Sequence, residues 1–258
     1  MQPTPLASPT RTTRLLPTLR LNGGWQMAID RWLLQQGQPA LRLYRWQRAC
    51  LSIGRHQRQL PERWLELAAH GTLELVRRPS GGGAVLHGRD LSYCLVWPQA
   101  PGDRALAYRR ACAWLQLAFI QMGQPLRFGE QPAGLPPRNC FATSTAADLV
   151  HPSPLATGAI KRVGSAQVWR GGVLLQHGSI QLDPDPDLWR EVFGTKVPEL
   201  PALNCSATEL EATLVQAAAA GLPQLQLPSL VGTALTADEL LAITASLDCG
   251  RISAPLTG

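Results

Sequence analysis

The sequence lacks the cysteine spacings that hold metal ions or build disulfide frameworks. Its six cysteines are scattered, and no C-x-x-C pair occurs among them: Cys50, Cys94, Cys112, Cys140, Cys205 and Cys249. Zinc cages and disulfide scaffolds both need cysteines at close, regular spacings. We therefore predict no metal site, no disulfide framework and a reducing compartment.

Long apolar runs are also missing. No stretch approaches the ~20 apolar residues that span a bilayer, and residues 1–16 lack the apolar core of a signal peptide. We expect a soluble, cytoplasmic protein with no membrane partner.

A block of lysines is absent too, although the chain is basic. The 24 basic and 18 acidic residues give a formal net charge of +6, and they are spread along the sequence. This distribution favours an acidic protein partner over nucleic acid, because the usual fingerprints of nucleic-acid-binding modules are also missing.

No long linker divides the chain. With 258 residues and 45% hydrophobic content it can bury one sizeable core. We predict a flexible segment of residues 1–20 followed by a single domain of residues 21–258. The domain has a core of residues 21–182 and a C-terminal helical extension of residues 183–258, since the strand pattern ends at an Asp-Pro-Asp-Pro run.

The most distinctive stretch that is present is the run Gly81-Gly82-Gly83, which follows Arg77 and Arg78. Strand-like residues 73–76 precede it, and residues 84–87 and 91–97 resume a strand pattern after it. A glycine run alone is also compatible with a plain turn. Between strands, however, it lets a backbone approach a ligand closely, and this favours a loop that holds a small polar head with its apolar appendage.

Hydrophobic periodicity and breaker residues predict the remaining elements. In the core they are a helix over 25–34, strands over 39–46 and 49–53, helices over 60–70 and 104–122, a short strand over 125–128, and a β-hairpin of 162–169 and 172–182. In the extension they are helices beginning at 188, 206 and 236, with capping boxes at Ser206 and Thr236 and a loop over 223–231.

Two residues outside the glycine run are candidates for chemistry. Cys140 follows a loop rich in proline and glycine, but a free cysteine is most often a small buried apolar residue. Lys161 lies between strand-like segments. A lone lysine is usually solvated, but one held between small residues beside an inward-facing Gln176 and His177 is a better candidate for contacting a ligand.

Several motifs, in one order, make the chain similar to the biotin/lipoate protein ligase and octanoyltransferase superfamily. They are MAID at 27–30, LRLYRW at 41–46, SIGRHQ at 52–57, RRPSGGGAVLH at 77–87, KRVGSAQ at 161–167 and QHGSI at 176–180. The resemblance covers about residues 22–182. It implies a single-domain α/β (α+β) fold in which a central mixed β-sheet is flanked by helices, and which binds lipoic or octanoic acid.

Within this superfamily, Cys140 followed by Phe141 is similar to the cysteine-dependent octanoyltransferases, whereas the ligases usually carry Asp after Arg-Asn. The resemblance implies transfer of an octanoyl group from octanoyl-acyl carrier protein, through a cysteine thioester, to the lysine of a lipoyl domain. The acceptor would be the glycine cleavage H protein or a 2-oxoacid dehydrogenase E2 subunit, and no cofactor is needed. An ATP-dependent lipoate ligase is the alternative, and a non-catalytic acyl-binding protein is a third.

The resemblance also implies the site. Cys140 and Lys161 are the expected catalytic residues, with the cysteine as nucleophile and the lysine as a nearby cation. The expected substrate-binding residues are Arg77, Arg78, Ser80, Gly81, Gly82, Gly83, Ala84, His87, Gly164, Ser165, Ala166, His177 and Gly178.

Overall fold

The computed structural model of the chain describes residues 12–129, 148–152, 160–247 and 252. In chain order the elements are β1 (Thr13–Leu21), α1 (Gly23–Gln36), β2 (Ala40–Trp46), β3 (Cys50–Ile53), α2 (Glu62–Ala69), β4 (Glu74–Arg77), β5 (Val85–His87), β6 (Asp90–Pro98), α3 (Arg104–Gln121), β7 (Arg127–Phe128), β8 (Leu149–His151), β9 (Ile160–Arg170), β10 (Val173–Gln181), α4 (Pro186–Phe193), α5 (Ala207–Gly221), a 3₁₀-helix (Leu222–Leu225), β11 (Leu230–Gly232) and α6 (Ala237–Thr244).

The strands form two sheets. The larger one is mixed and has the order β11-β1-β2-β6-β10-β9-β8-β7, and the smaller one has the order β4-β3-β5. In the larger sheet β1 is parallel to both β2 and β11, while β2, β6, β10 and β9 pair antiparallel in succession. The predicted α/β fold with a central mixed sheet is confirmed.

Helices cover both faces of the larger sheet because its strands are apolar on both sides. On one face, Trp114 and Phe119 of α3 and Leu214 of α5 belong to one buried cluster. On the other face, Ile29 of α1 and Ile243 of α6 belong to a second cluster. The site described below lies on this second face.

The smaller sheet has its own core and supports the glycine loop. Trp64 of α2 and Trp189 of α4 pack with the apolar side chains of β3, β4 and β5. The indole of Trp64 donates to the carbonyl of Val192 at 2.7 Å, which ties α2 to α4. Since β4 ends at Arg77 and β5 begins at Val85, the glycine loop is the connection between two strands that flank β3.

The structure corrects the predicted flexible segment of residues 1–20, because Thr13–Leu21 form β1 inside the larger sheet. Pro17 lies within β1, although proline cannot donate to a sheet ladder. The pairing of β1 with β2 shifts its register between Leu16 and Leu19, so the proline lies where the ladder is already interrupted.

The predicted loop over 223–231 is also wrong. It contains the 3₁₀-helix and then β11, which pairs parallel with β1 and so brings part of the C-terminal extension into the larger sheet. Both capping boxes are confirmed, at Ser206 with Glu209 and at Thr236 with Glu239. None of the described helices is long and apolar enough to cross a bilayer.

Candidate active site

A narrow cavity of about 40 Å³ lies between the two sheets, below the glycine loop. We name it the acyl cavity, after the octanoic or lipoic acid that the resemblance implies. Its walls come from α1, from β2, β9 and β10 of the larger sheet, and from β3, β5 and the loop of the smaller one. It is lined by Met27, Tyr44, Trp46, Ser52, Arg78, Val85, His87, Gly164, Ser165, Ala166, His177, Gly178 and Ser179.

Seven of the residues predicted to bind the substrate are brought together here. They are Arg78, His87, Gly164, Ser165, Ala166, His177 and Gly178. The others predicted from the same stretch do not belong to the described lining, and their contact with a ligand stays a prediction: Arg77, Ser80, Gly81, Gly82, Gly83 and Ala84.

A chain of buried polar side chains fixes His177 at the cavity wall. Nε and Nη2 of Arg42 donate to Oδ1 of Asp30 at 3.0 and 2.7 Å. Nδ1 of His177 lies 2.8 Å from Oδ2 of Asp30, and Nε2 lies 2.5 Å from Oγ of Ser80. Since the carboxylate only accepts, Nδ1 carries the proton, and in the neutral ring Nε2 accepts from the Ser80 hydroxyl. The array therefore holds Ser80, the residue that precedes the glycine run, against β10.

Burial alone would raise the pKa of Asp30. The positive charge of Arg42 and the hydrogen bonds from His177 and Arg42 outweigh it and hold the pKa below its usual value. The side chains of Arg42 and Asp30 are 2% and 0% exposed, so this is a desolvated ion pair. Asp30 is thus a carboxylate at neutral pH.

A second array of the same type fixes His87. Its Nδ1 lies 2.8 Å from Oδ2 of Asp90, and its Nε2 lies 2.8 Å from Oγ of Ser52. The ring stacks on Trp46, with 4.0 Å between ring centroids. Oδ2 of Asp90 also accepts from Oγ of Ser179 at 2.6 Å. Burial would raise the pKa of Asp90, but the interactions with His87, Ser179 and the backbone of the preceding turn lower it.

Arg78 shapes the glycine loop from within. Its Nη1 donates to the carbonyl of Ser52 at 2.9 Å, and its Nη2 donates to the carbonyls of Gly81 and Gly83, both at 2.6 Å. Three carbonyls that accept from one guanidinium hold the loop folded back on itself.

Arg77, by contrast, stabilises the neighbouring turn at residues 54–57. Its Nη1 donates to the carbonyls of Gly54, Arg55 and Gln57 at 3.0, 3.2 and 2.8 Å. This turn touches the glycine loop so closely that a Cβ on Gly54 would lie 2.0 Å from the carbonyl oxygen of Gly82. The two loops therefore form one packed unit that only glycine at position 54 permits.

Lys161 is the second residue of β9 and is buried against Asp148, with 3.0 Å between Nζ and Oδ1. It is not among the residues of the described cavity lining. Cys140 lies outside the described residues, in the segment between Gly129 and Asp148. These two flanking residues are joined by a 3.0 Å hydrogen bond from the Gly129 amide to the Asp148 carbonyl. Gly129 and Asp148, which flank the segment that holds Cys140, are therefore in contact, and Asp148 pairs with Lys161.

On the α3 side of the sheet, a polar cluster joins the predicted residue Ser165 to Tyr93, Gln176 and Cys112. The hydroxyl oxygens of Tyr93 and Ser165 are 2.8 Å apart. Nε2 of Gln176 donates to the Tyr93 oxygen at 2.9 Å and to Sγ of Cys112 at 3.2 Å. Burial raises the pKa of the Cys112 thiol to about 11, so this cysteine is a neutral thiol at pH 7 and a poor nucleophile.

Arg162 anchors the other side of β9. Nε donates to Nε2 of His151 at 2.9 Å, Nη1 donates to the carbonyl of Gln181 at 2.7 Å, and Nη2 donates to the carbonyl of Pro201. Burial lowers the pKa of Arg162 to about 10. Burial and the arginine charge lower the pKa of His151 to about 4. The contact thus needs a neutral His151, and it fixes the segment after α4 beside the strand that carries Lys161.

No group of three or more His, Cys, Asp or Glu side chains within the described ranges could hold a metal ion. The missed lining residues Met27, Tyr44, Trp46 and Ser52 lie in the sequence motifs that carry the resemblance, so those motifs were the available signal. Val85 and Ser179 lie in such motifs too, and each is two residues from a predicted lining residue of the same strand, His87 in β5 and His177 in β10.

The sequence profile of the lipoyl protein ligase A/B catalytic domain matches residues 22–213. The chain is 37% identical to octanoyltransferase LipM of Kyrpidia tusciae over 188 residues, covering 69% of this chain and 68% of that one. It is 36% identical to octanoyltransferase LipM of Symbiobacterium thermophilum over 189 residues, covering 68% and 67%. A bipartite lipoate protein ligase from Thermoplasma acidophilum, solved with its E2 lipoyl domain, superposes with a TM-score of 0.68 at 20% identity over 93% of both chains.

The octanoyltransferase relatives show that this chain is an acyltransferase. The chain belongs to the lipoyl protein ligase A/B catalytic domain family. The expected superfamily is therefore confirmed.

Proposed function

We propose that this enzyme transfers an octanoyl group from octanoyl-acyl carrier protein to Cys140, and then from Cys140 to the lysine of a lipoyl domain. The observation that carries the proposal is the narrow, mainly apolar cavity between the sheets, in a chain whose relatives are octanoyltransferases. Met27, Tyr44, Trp46 and Val85 offer it apolar surface, which suits a hydrocarbon chain.

The chemistry balances without a nucleotide. The Cys140 thiolate attacks the thioester carbonyl of the donor, and the carrier's thiolate leaves and is protonated. One thioester replaces another, so little free energy is needed. The deprotonated lysine amine of the acceptor then attacks the Cys140 thioester, the cysteine thiolate leaves, and a stable amide forms. Formation of the amide in the second step makes the overall transfer irreversible.

Lys161 suits the role of a cation for these steps. It is buried, it lies at the start of β9, and the chain on both sides of the Cys140 segment meets at its partner Asp148. A buried ammonium near a thiol lowers the thiol pKa, and near a thioester it stabilises the oxyanion.

The partners follow from the same reasoning. A net charge of +6 favours acidic partners. We propose that the donor and the acceptor both bind the enzyme through acidic surfaces. The acceptor would be the H protein of glycine cleavage or an E2 lipoyl domain. The described cysteines Cys50, Cys94, Cys112 and Cys205 are free thiols, which suits our placement of the reaction in the reducing cytoplasm.

The test is a transfer assay with purified protein, apo lipoyl domain and octanoyl-acyl carrier protein, without nucleotide. Octanoylation of the lipoyl domain should be seen by intact mass. A parallel arm with octanoate and ATP tests the ligase alternative. Modification only in the ATP arm would overturn the proposal and favour a ligase.

Cysteine variants make the assay specific. Cys140→Ala should abolish transfer, whereas Cys205→Ala should leave it unchanged. Cys205 is a suitable control because its described contact is with Sδ of Met122 at 3.8 Å, away from the acyl cavity. Equal activity in Cys140→Ala and wild type would remove the proposed nucleophile.

A further inference from the structure

A second, wider cavity of about 290 Å³ lies next to the acyl cavity, on the side away from the glycine loop. It sits where β2 ends, where β5 turns into β6, and where β10 runs into α4. Arginine side chains stand at its surface, and Ala49, Leu86, Pro184 and Leu188 give it an apolar wall. On the same measure, it is several times larger than the acyl cavity.

His87 is a lining residue of both cavities. Ser52 and Ser179 face the acyl cavity, whereas Asp90 and Gln181 face the second one. These residues are hydrogen bonded through the wall: His87 lies 2.8 Å from both Ser52 and Asp90, and Ser179 donates to Asp90 at 2.6 Å. The wall between the cavities is therefore one side chain thick at His87.

We propose that His87 sets the acyl-chain length of this enzyme by closing the acyl cavity against the second cavity. The inference rests on the proposed function, because it assigns the acyl chain to the first cavity. A chain that reaches the imidazole meets a polar ring fixed by two hydrogen bonds and by stacking on Trp46. Such a ring cannot rotate aside without leaving Asp90 buried and without its histidine partner, so the limit is a firm one.

Without the imidazole, a longer chain has somewhere to go. Its terminal methylenes would enter the second cavity along Leu86, Leu188 and Ala49. Burying one methylene contributes about 0.8 kcal/mol, or about fourfold in Kd. Since the opposite wall of the second cavity is polar, we expect less than this for each added carbon.

The experiment measures calorimetric binding of saturated fatty acids of even length from hexanoate to tetradecanoate. Wild type should bind octanoate best and bind dodecanoate at least tenfold more weakly. His87→Ala should bind dodecanoate at least tenfold more tightly than wild type does. An unchanged length preference in His87→Ala would overturn the proposal, as would a wild type that binds none of these acids.

Three further variants locate the effect. Ala49→Phe fills the second cavity from its far wall, so it should leave octanoate binding unchanged, and the double variant His87→Ala, Ala49→Phe should lose the affinity for dodecanoate. Val85→Ala enlarges only the acyl cavity, so it should weaken every acid alike without changing their order. Retained dodecanoate binding in the double variant would show that the chain does not enter the second cavity.

A folding defect is guarded against separately. If His87→Ala does not fold, the same series is run on His87→Ala, Asp90→Asn, which leaves no unpaired buried carboxylate, and the predictions are the same. Fatty-acid binding needs no transfer. If a His87 variant binds longer acids but the wild type transfers no octanoyl group, the role of His87 in setting chain length is supported and the proposed function is refuted. If the wild type transfers octanoyl groups but neither His87 variant changes the length preference, only the role of His87 is refuted.

Discussion

Replacing Asp30 by Asn tests whether the buried array under the acyl cavity stabilises the fold. The change leaves the Arg42 guanidinium, 2% exposed, without its carboxylate. Breaking a buried pair by removing one partner costs about 3–5 kcal/mol, because the remaining charge is uncompensated. We expect the free energy of unfolding, measured by urea titration, to fall by about that amount.

Asp187→Asn is the matched control, because Asp187 and Arg190 form an exposed pair with side chains 86% and 64% exposed. Its loss should cost less than about 1 kcal/mol. The two variants should also differ in their dependence on pH. The pKa of Asp30 is lowered in the folded state, so its contribution is complete above the unfolded value of about 3.9 and is lost as the pH falls through the folded pKa. A cost of under about 1 kcal/mol for Asp30→Asn, equal to that of the control, would refute the reasoning.

Three more predictions concern the loop, the strand anchor and the cation. Gly54→Ala should lower transfer strongly and destabilise the fold by about 1–3 kcal/mol, because its Cβ would collide with the Gly82 carbonyl; wild-type activity and urea stability would contradict this. Folding holds His151 neutral, with a pKa of about 4. The contribution of His151 to the free energy of unfolding should therefore be complete above the unfolded pKa of about 6.5. It should decrease by about 1–2 kcal/mol, after allowance for solvent screening, as the pH falls towards 4. His151→Gln should accept the Arg162 hydrogen bond and lose this slope, and a retained slope would assign it to another group. Lys161→Ala should slow acylation by about 10²-fold and raise the pKa of the reactive thiol, measured from the pH dependence of alkylation. Lys161→Arg should recover part of the pKa effect only. Unchanged turnover and alkylation profiles in Lys161→Ala would contradict the roles of Lys161 in stabilising the oxyanion and the thiolate.

Local signals predicted much of the fold. The capping boxes at Ser206 and Thr236 gave the starts of α5 and α6 because a cap is a contact between residues three apart. The long α3 and the hairpin of β9 and β10 followed from periodicity and from the Gly171-Gly172 turn, in which both glycines have positive φ. β1 and β11 were missed because each is stabilised by parallel pairing with a strand distant in sequence, and Pro17 conceals the first of them.

The site was predictable only as far as the motifs reach. Arg78, His87 and His177 lie in motifs and do line the cavity. Asp90 and Cys112 were not foreseen, because their importance arises from partners brought close by the sheet and by α3. Arg77 and Arg78 are adjacent in sequence and look equivalent, but they satisfy carbonyls of different loops, and only Arg78 reaches the cavity wall.

The most direct test of octanoyl transfer through Cys140 follows the acyl group in time. Enzyme is mixed with octanoyl-acyl carrier protein, freed of the donor, mapped by peptide mass spectrometry, and then mixed with apo lipoyl domain. We predict one octanoyl group on Cys140, which leaves the enzyme as the lipoyl domain gains it, with no nucleotide added. A lipoyl domain that becomes octanoylated at the normal rate while Cys140 never carries the group would contradict the thioester route.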